Sequence, residues 1–272
     1  MKKEKNKKKN KIKEVIQKTN KKTLAVYVII RFLIILCLIM QIIHKEWGNA
    51  FLCLLTLILI TIPFIVEDKF KITLPNTLET IIILFIFAAE ILGEINNFFN
   101  IFKHWDTMLH TLNGFICAGI GFSLVDLLNK NSDKINLSPA YLLLVSFTFS
   151  MTIGVMWEFG EYAMDKIFLT DAQKDTQINT ISSVYLNEKG ENKSVILKDI
   201  EYTKIYSKDK DGKTVETTVG GYLDIGLNDT MKDLMVNFLG AIIFNLIAYL
   251  YIKNNQKWQF VEGFLPRKGN TK

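Results

Sequence analysis

From Leu24 to Ile43 the chain is predominantly apolar over the roughly 20 residues an α-helix needs to cross a bilayer. Comparable runs follow at about 50–66, 77–95, 106–128, 140–165 and 229–252. These runs constrain the fold more than any other feature. In hydrocarbon every backbone N–H and C=O must be satisfied within the protein, which leaves helices or closed barrels. The runs predict an all-α polytopic membrane helical bundle of six transmembrane helices. Composition agrees, with 49% hydrophobic residues and 19 phenylalanines against only four prolines in 272 residues.

Charge then orients the helices. Residues 1–22 form a tail with eleven lysines, and residues 253–272 a second basic tail with Lys253, Lys257, Arg267, Lys268 and Lys272. The net charge of +6 therefore sits at the ends. A lysine-rich tail directly before a spanning segment reads as an anchor on anionic lipid, so nucleic acid is not an expected partner. The segments 67–76 and 129–138 carry two lysines each, whereas the short connections on the other side hold only Lys45 and Lys103. The positive-inside rule then places both termini on the cytoplasmic side. The first run is too long for a signal-peptide core and lacks a small-residue cleavage site, so it is expected to stay in place. Cys37, Cys53 and Cys117 lie within apolar runs without metal-type spacing and predict no disulfide.

Residues 166–228 are too polar to enter the bilayer and interrupt the bundle between helices five and six. Ser194–Leu197 and Thr214–Val219 are β-prone and flank an Asp211-Gly212 turn signal, which predicts a hairpin in a small β-rich extracytoplasmic insertion. The expected order is a cytoplasmic tail at 1–22, helices one to five in 23–165, the β-rich cap at 166–228, helix six at 229–252, and a basic tail at 253–272.

The chemistry sits in acidic and imidazole residues at one membrane face. Asp106, His110 and Asn113 fall at i, i+4, i+7; Glu158, Glu161 and Asp165 at i, i+3, i+7; Asp229, Asp233 and Asn237 at i, i+4, i+8. Each set lies along one side of its helix. A carboxylate at the centre of a spanning helix costs about 2.5–3.5 kcal/mol on insertion, so such groups are expected to face partners rather than lipid. Helices four to six show no internal Lys or Arg on these faces, which leaves a metal ion, shared protons or a cationic substrate as the compensating charge. Glu90, Glu94 and Asp165 read as ordinary interfacial acids, whereas His110, Glu158 and Asp233 lie deep enough to be functional candidates. Gly114, Gly119, Gly121 and Gly240 read as close-packing positions.

Three blocks also carry a resemblance. Asp106-Thr-Met-Leu-His110-Thr-Leu-Asn113-Gly114, then Trp157-Glu158-Phe-Gly-Glu161, then Asn228-Asp229-Thr-Met-Lys-Asp233-Leu-Met-Val-Asn237-Phe-Leu-Gly240, resemble the YjdF-like inner-membrane proteins. More distantly they are similar to the VanZ-like family, which has an Asp/His helix, a Glu helix and an Asp-x-x-x-Asn-x-x-Gly helix in the same order. Glu161 departs from the VanZ-like pattern, which has Gln there. The resemblance spans about Asp106 to Phe244 and implies a bacterial integral membrane protein of the cell envelope, without supplying a reaction.

Three functional classes stay open at this stage. The first is a divalent-metal-dependent membrane enzyme acting on an envelope lipid or lipid-linked substrate. In it Asp106, His110, Glu158, Asp229 and Asp233 ligate Mn, Zn or Mg, and Glu161, with Glu158, serves as the catalytic acid–base group. The second is a proton- or cation-coupled transporter. The third is a non-catalytic envelope accessory or sensor protein. Oligomeric state is not legible.

Overall fold

The computed structural model describes residues 20–70, 72–130, 136–254, 259–265 and 267–268. The lysine-rich tail up to residue 19, Lys134 of the 129–138 connection, and Lys257 and Lys272 lie outside them. Contacts divide the chain into two units, residues 1–154 with 236–272, and residues 155–235.

Five helices among the described residues are long and apolar enough to cross a membrane. The first, α1 (Lys21–Ile43), starts where the Asn20 side chain accepts the Lys22 N–H at 3.0 Å. Its buried positions are Thr23, Ile30 and Ile34, while Phe32, Leu36 and Ile43 are exposed, as suits a helix meeting lipid on most of its surface. The second crossing is not the single helix expected at 50–66. It runs from Trp47 to Lys69 as α2 (Trp47–Leu59) and α3 (Ile62–Phe70), with a turn at Ile60–Thr61. Pro63, in the first turn of α3, has no N–H to continue the ladder of α2, which is why the helix restarts there.

The run at 77–95 also departs from a plain α-helix. It begins as α4 (Asn76–Phe87) and continues as a π-helical segment over Ala88–Ile95. Each residue in that register donates five residues back, as Asn96 N–H does to the Ile91 carbonyl at 3.0 Å. The indole of Trp105 donates to the Ala88 carbonyl at 3.3 Å. A single helical turn, α5 (Phe98–Ile101), leads to α6 (Trp105–Lys130), then α7 (Pro139–Phe168) and α8 (Leu227–Lys253). A last turn, α9 (Gln259–Glu262), precedes a short strand at Arg267–Lys268 that pairs antiparallel with β1 (Ile72–Thr73).

Two apolar clusters hold the first unit. Ile30, Ile34, Cys53, Ile60, Ile83 and Ile91 join α1, α2, α4 and the π segment. Leu78, Ala118, Phe122, Leu142, Phe244 and Ala248 join α4, α6, α7 and α8. In this second cluster α6 and α8 touch backbone to backbone. A Cβ on Gly114 would lie 2.0 Å from the Asn237 carbonyl oxygen, and one on Gly240 would lie 2.1 Å from the Thr111 carbonyl oxygen. Glycine is required at both positions by this mutual approach, the role expected of them from sequence. Arg31, which the apolar-run reading passed over, sits within α1 with its guanidinium stacked on the Tyr27 ring at 4.8 Å.

The second unit comprises the end of α7, the start of α8 and three two-stranded antiparallel pairs. These are β2 (Gln177–Ile178) with β7 (Tyr222–Leu223), β3 (Ile181–Ser183) with β4 (Val195–Leu197), and β5 (Tyr202–Lys208) with β6 (Thr214–Gly220). The hairpin forms around Asp211-Gly212 as expected, but its first arm is Tyr202–Lys208 and not Ser194–Leu197, which pairs with β3 instead. The Asp209 carboxylate accepts the N–H groups of Asp211 and Lys213 at 2.9 and 2.8 Å, and Gly212 takes φ +78°, so the turn chemistry selects the adjacent arm. Across the strands, Lys204 pairs with Glu216 at 2.8 Å. That ammonium and the Tyr206 hydroxyl hold the Glu216 carboxyl below its ordinary range.

Candidate metal centre

The site grows from α6 and α8. On α6, Asp106 and His110 are one turn apart, and the His110 Nε2 lies 3.4 Å from Asp106 Oδ1. Below them Asn113 donates from Nδ2 to Oδ1 of Asn237 at 3.0 Å. Asn237, with no exposed surface, donates in turn to the Ser150 carbonyl of α7 at 3.4 Å, and the Ser150 hydroxyl donates to the Gly114 carbonyl at 2.8 Å. A second knot repeats the pattern further along. Ser146 donates to the Ala118 carbonyl at 2.8 Å and contacts Asn245 Oδ1 at 2.7 Å, while Asn245 donates to the Leu143 carbonyl at 3.1 Å. Side-chain amides thus fix the rotation of α6, α7 and α8 about their axes, where apolar packing alone would leave it soft.

α8 is unbroken from Leu227 to Lys253, so Asp233 stands one turn before Asn237 on the same side. One ligand atom from each of Asp106, His110 and Asp233 lies within 4.8 Å of the other two. His110 is 8% exposed and Asp233 1%. A possible metal-binding triad is therefore present, of two carboxylates and an imidazole.

The remaining sequence candidates are not among these three. Glu158 is buried on α7, 4% exposed, and is not one of the three. Glu161 is half-buried and its Oε1 accepts the Trp157 indole N–H at 2.8 Å, one turn back along α7. Asp165 and Asp229 hold a loop. Asp165 accepts the Ala172 and Gln173 N–H groups at 2.6 and 2.9 Å, and Asp229 accepts the Lys174 N–H at 3.0 Å. Three successive backbone donors are thus held by carboxylates from two helix ends. Glu161 and Asp165, expected with Glu158 along one side of their helix, thus have different partners.

One expectation is corrected. The acidic faces of helices four to six do have a basic neighbour. Lys232 Nζ lies 3.3 Å from Asp229 Oδ1 and 3.5 Å from Asp233 Oδ1. A lysine next to Asp233 in sequence is off its helical side, but four methylenes let the ammonium reach round. Asp126, also passed over, is buried on α6 and pairs with Lys130 at 2.7 Å. The signal for it was an acid four residues before a lysine.

Residues 25–254 match a family described as predicted membrane protein (DUF2238). The chain belongs to this family. The match covers all three helices that carry the polar knots and the triad. An uncharacterized protein of Thermotoga maritima is 26% identical over 105 residues, covering 39% of this chain and 53% of the relative. The chain thus spans about half the length of that curated relative. No solved structure matches. Family and fold agree on a membrane protein with several transmembrane helices.

Proposed function

We propose that this chain is a divalent-cation-binding protein of the bacterial plasma membrane, with both termini cytoplasmic, acting on an envelope lipid or lipid-linked substrate. Kinship with the YjdF-like and, more distantly, VanZ-like proteins is part of the same proposal, supported by the three motif blocks on α6, α7 and α8. The observation that carries it is the Asp106–His110–Asp233 triad. Around an ion with bonds of about 2 Å, ligand atoms sit roughly 3–4 Å apart, which small side-chain rotations reach from the observed spacing. The donor set of two carboxylate oxygens and one imidazole suits Mn, Zn or Mg. Lys232 offsets part of the negative charge, and a divalent cation balances the rest. Such an ion supplies Lewis acidity. In this reading Glu158 is a further ligand or a proton acceptor. Glu161, held by Trp157, is the general base, and Asp229 orients Lys232 and the 172–174 loop.

The test uses detergent-purified protein stripped with chelator and melted with and without Mn, Zn or Mg. The expected result is a rise in melting temperature on adding one of these ions, absent in Asp233→Asn. An unchanged melt in all cases removes the metal reading. A second reading, a non-catalytic accessory protein, draws on Lys232 and on the loop held by Asp165 and Asp229, since these show the acids in structural roles. It predicts melts insensitive to every ion and lowered by Lys232→Met.

A further inference from the structure

The second unit contains a cleft of about 960 Å³ whose lining belongs wholly to residues 177–228. Its lining comes from the β2–β3 stretch, Ile200, and the residues from the end of β6 through β7 to the start of α8. The lining mixes amides and hydroxyls, from Gln177, Asn179, Thr180, Ser182 and Asn228, with the aliphatic side chains of Ile178, Ile181, Ile200 and Leu227 and the Tyr222 ring, which is 41% exposed. It contains no lysine or arginine, and its one carboxylate, Asp224, is already engaged by the Thr176 hydroxyl and the Leu227 and Asn228 N–H groups at 2.8–3.0 Å.

That chemistry selects a ligand. An anionic ligand needs cationic groups, and a cationic one needs a carboxylate free to accept. A neutral polyol needs donors and acceptors in alternation, plus one flat apolar face against which ring C–H groups can lie. The volume is at the upper end of the range of about 300–1,000 Å³ usual for small-molecule sites and accommodates more than one sugar ring. We infer that this cleft binds a neutral oligosaccharide, with Tyr222 as the stacking platform and Gln177, Asn179 and Ser182 as the hydrogen-bonding groups. The site is independent of the metal reading, because none of its residues belongs to the triad.

The experiment is titration of the full-length protein in nanodiscs, in chelator, with chitotriose, with a blocked trialanine peptide of similar size, and with diglucosyl-diacylglycerol in the disc lipid. Saturable binding of chitotriose identifies a free glycan, and saturable binding of the glycolipid alone identifies a headgroup; either supports the proposal. Tyr222→Ala is expected to weaken binding about tenfold, and Tyr222→Phe to retain it, with unchanged melting curves for both. Absence of saturable binding by either sugar, equal binding of the peptide, or indifference to Tyr222→Ala at an unchanged melt would overturn it.

Discussion

Two side chains show how single residues set the structure here. Asn237 joins three helices through one buried amide, and replacing it with alanine leaves the Asn113 amide without its acceptor inside the bundle. Asn237→Ala is expected to destabilise the protein by about 1–2 kcal/mol in detergent unfolding. Asp224 is the second case. Burial raises its carboxyl pKa, but hydrogen bonds from Thr176, Asn228 and Leu227 outweigh this and bring it below the ordinary value. The folded pKa thus lies below the unfolded one, so Asp224 contributes stability above about pH 4 that is lost as pH falls through the folded value. Melting wild type and Asp224→Asn from pH 7 down to pH 3 should show the wild-type advantage shrinking below about pH 4. An advantage constant with pH would contradict this. At this scale the sequence was partly legible. Asp106, His110 and Asp233 stand out because ionisable groups are rare in apolar runs. Ser146 and Asn245 do not, since small polar residues cost little and their pairing depends on a neighbouring helix. Lys232 was missed because helical spacing places Cβ atoms, while the ammonium sits several bonds further out.

Elements differ in how far hydropathy reveals them. The limits of α1, α6, α7 and α8 follow from run length, since a bilayer demands it. The π register of Ala88–Ile95 leaves hydropathy unchanged and so escapes notice, as does the choice between two β-prone arms for the hairpin, which is decided by the Asp209 turn. Helix contact gives the sharpest prediction here. A methyl group on Gly114 meets a backbone oxygen that cannot rotate away, so Gly114→Ala should force α6 and α8 apart at a cost of about 1–3 kcal/mol or more. Gly160 has nothing within 4 Å of a Cβ, so Gly160→Ala should instead stabilise α7 by up to about 1 kcal/mol. Opposite signs for the same substitution, read by denaturant unfolding, would confirm that backbone approach and not helix propensity governs the α6–α8 contact. Like signs would refute it.

For the molecule as a whole, membrane residence follows from the five apolar helices and the family, while cation binding rests on the triad that α6 and α8 form. Hydropathy identified the class of protein because the bilayer acts on every residue of a run. It did not identify the reaction, because chemistry depends on a few atoms whose meeting is set by packing. The most direct test of the central claim is elemental analysis of protein purified without chelator, comparing wild type with Asp106→Asn, His110→Ala and Asp233→Asn. Cation binding predicts one equivalent of Mn, Zn or Mg per chain in wild type and a large loss in each variant at an unchanged fold. No stoichiometric metal in wild type, or equal metal in all four proteins, would contradict it.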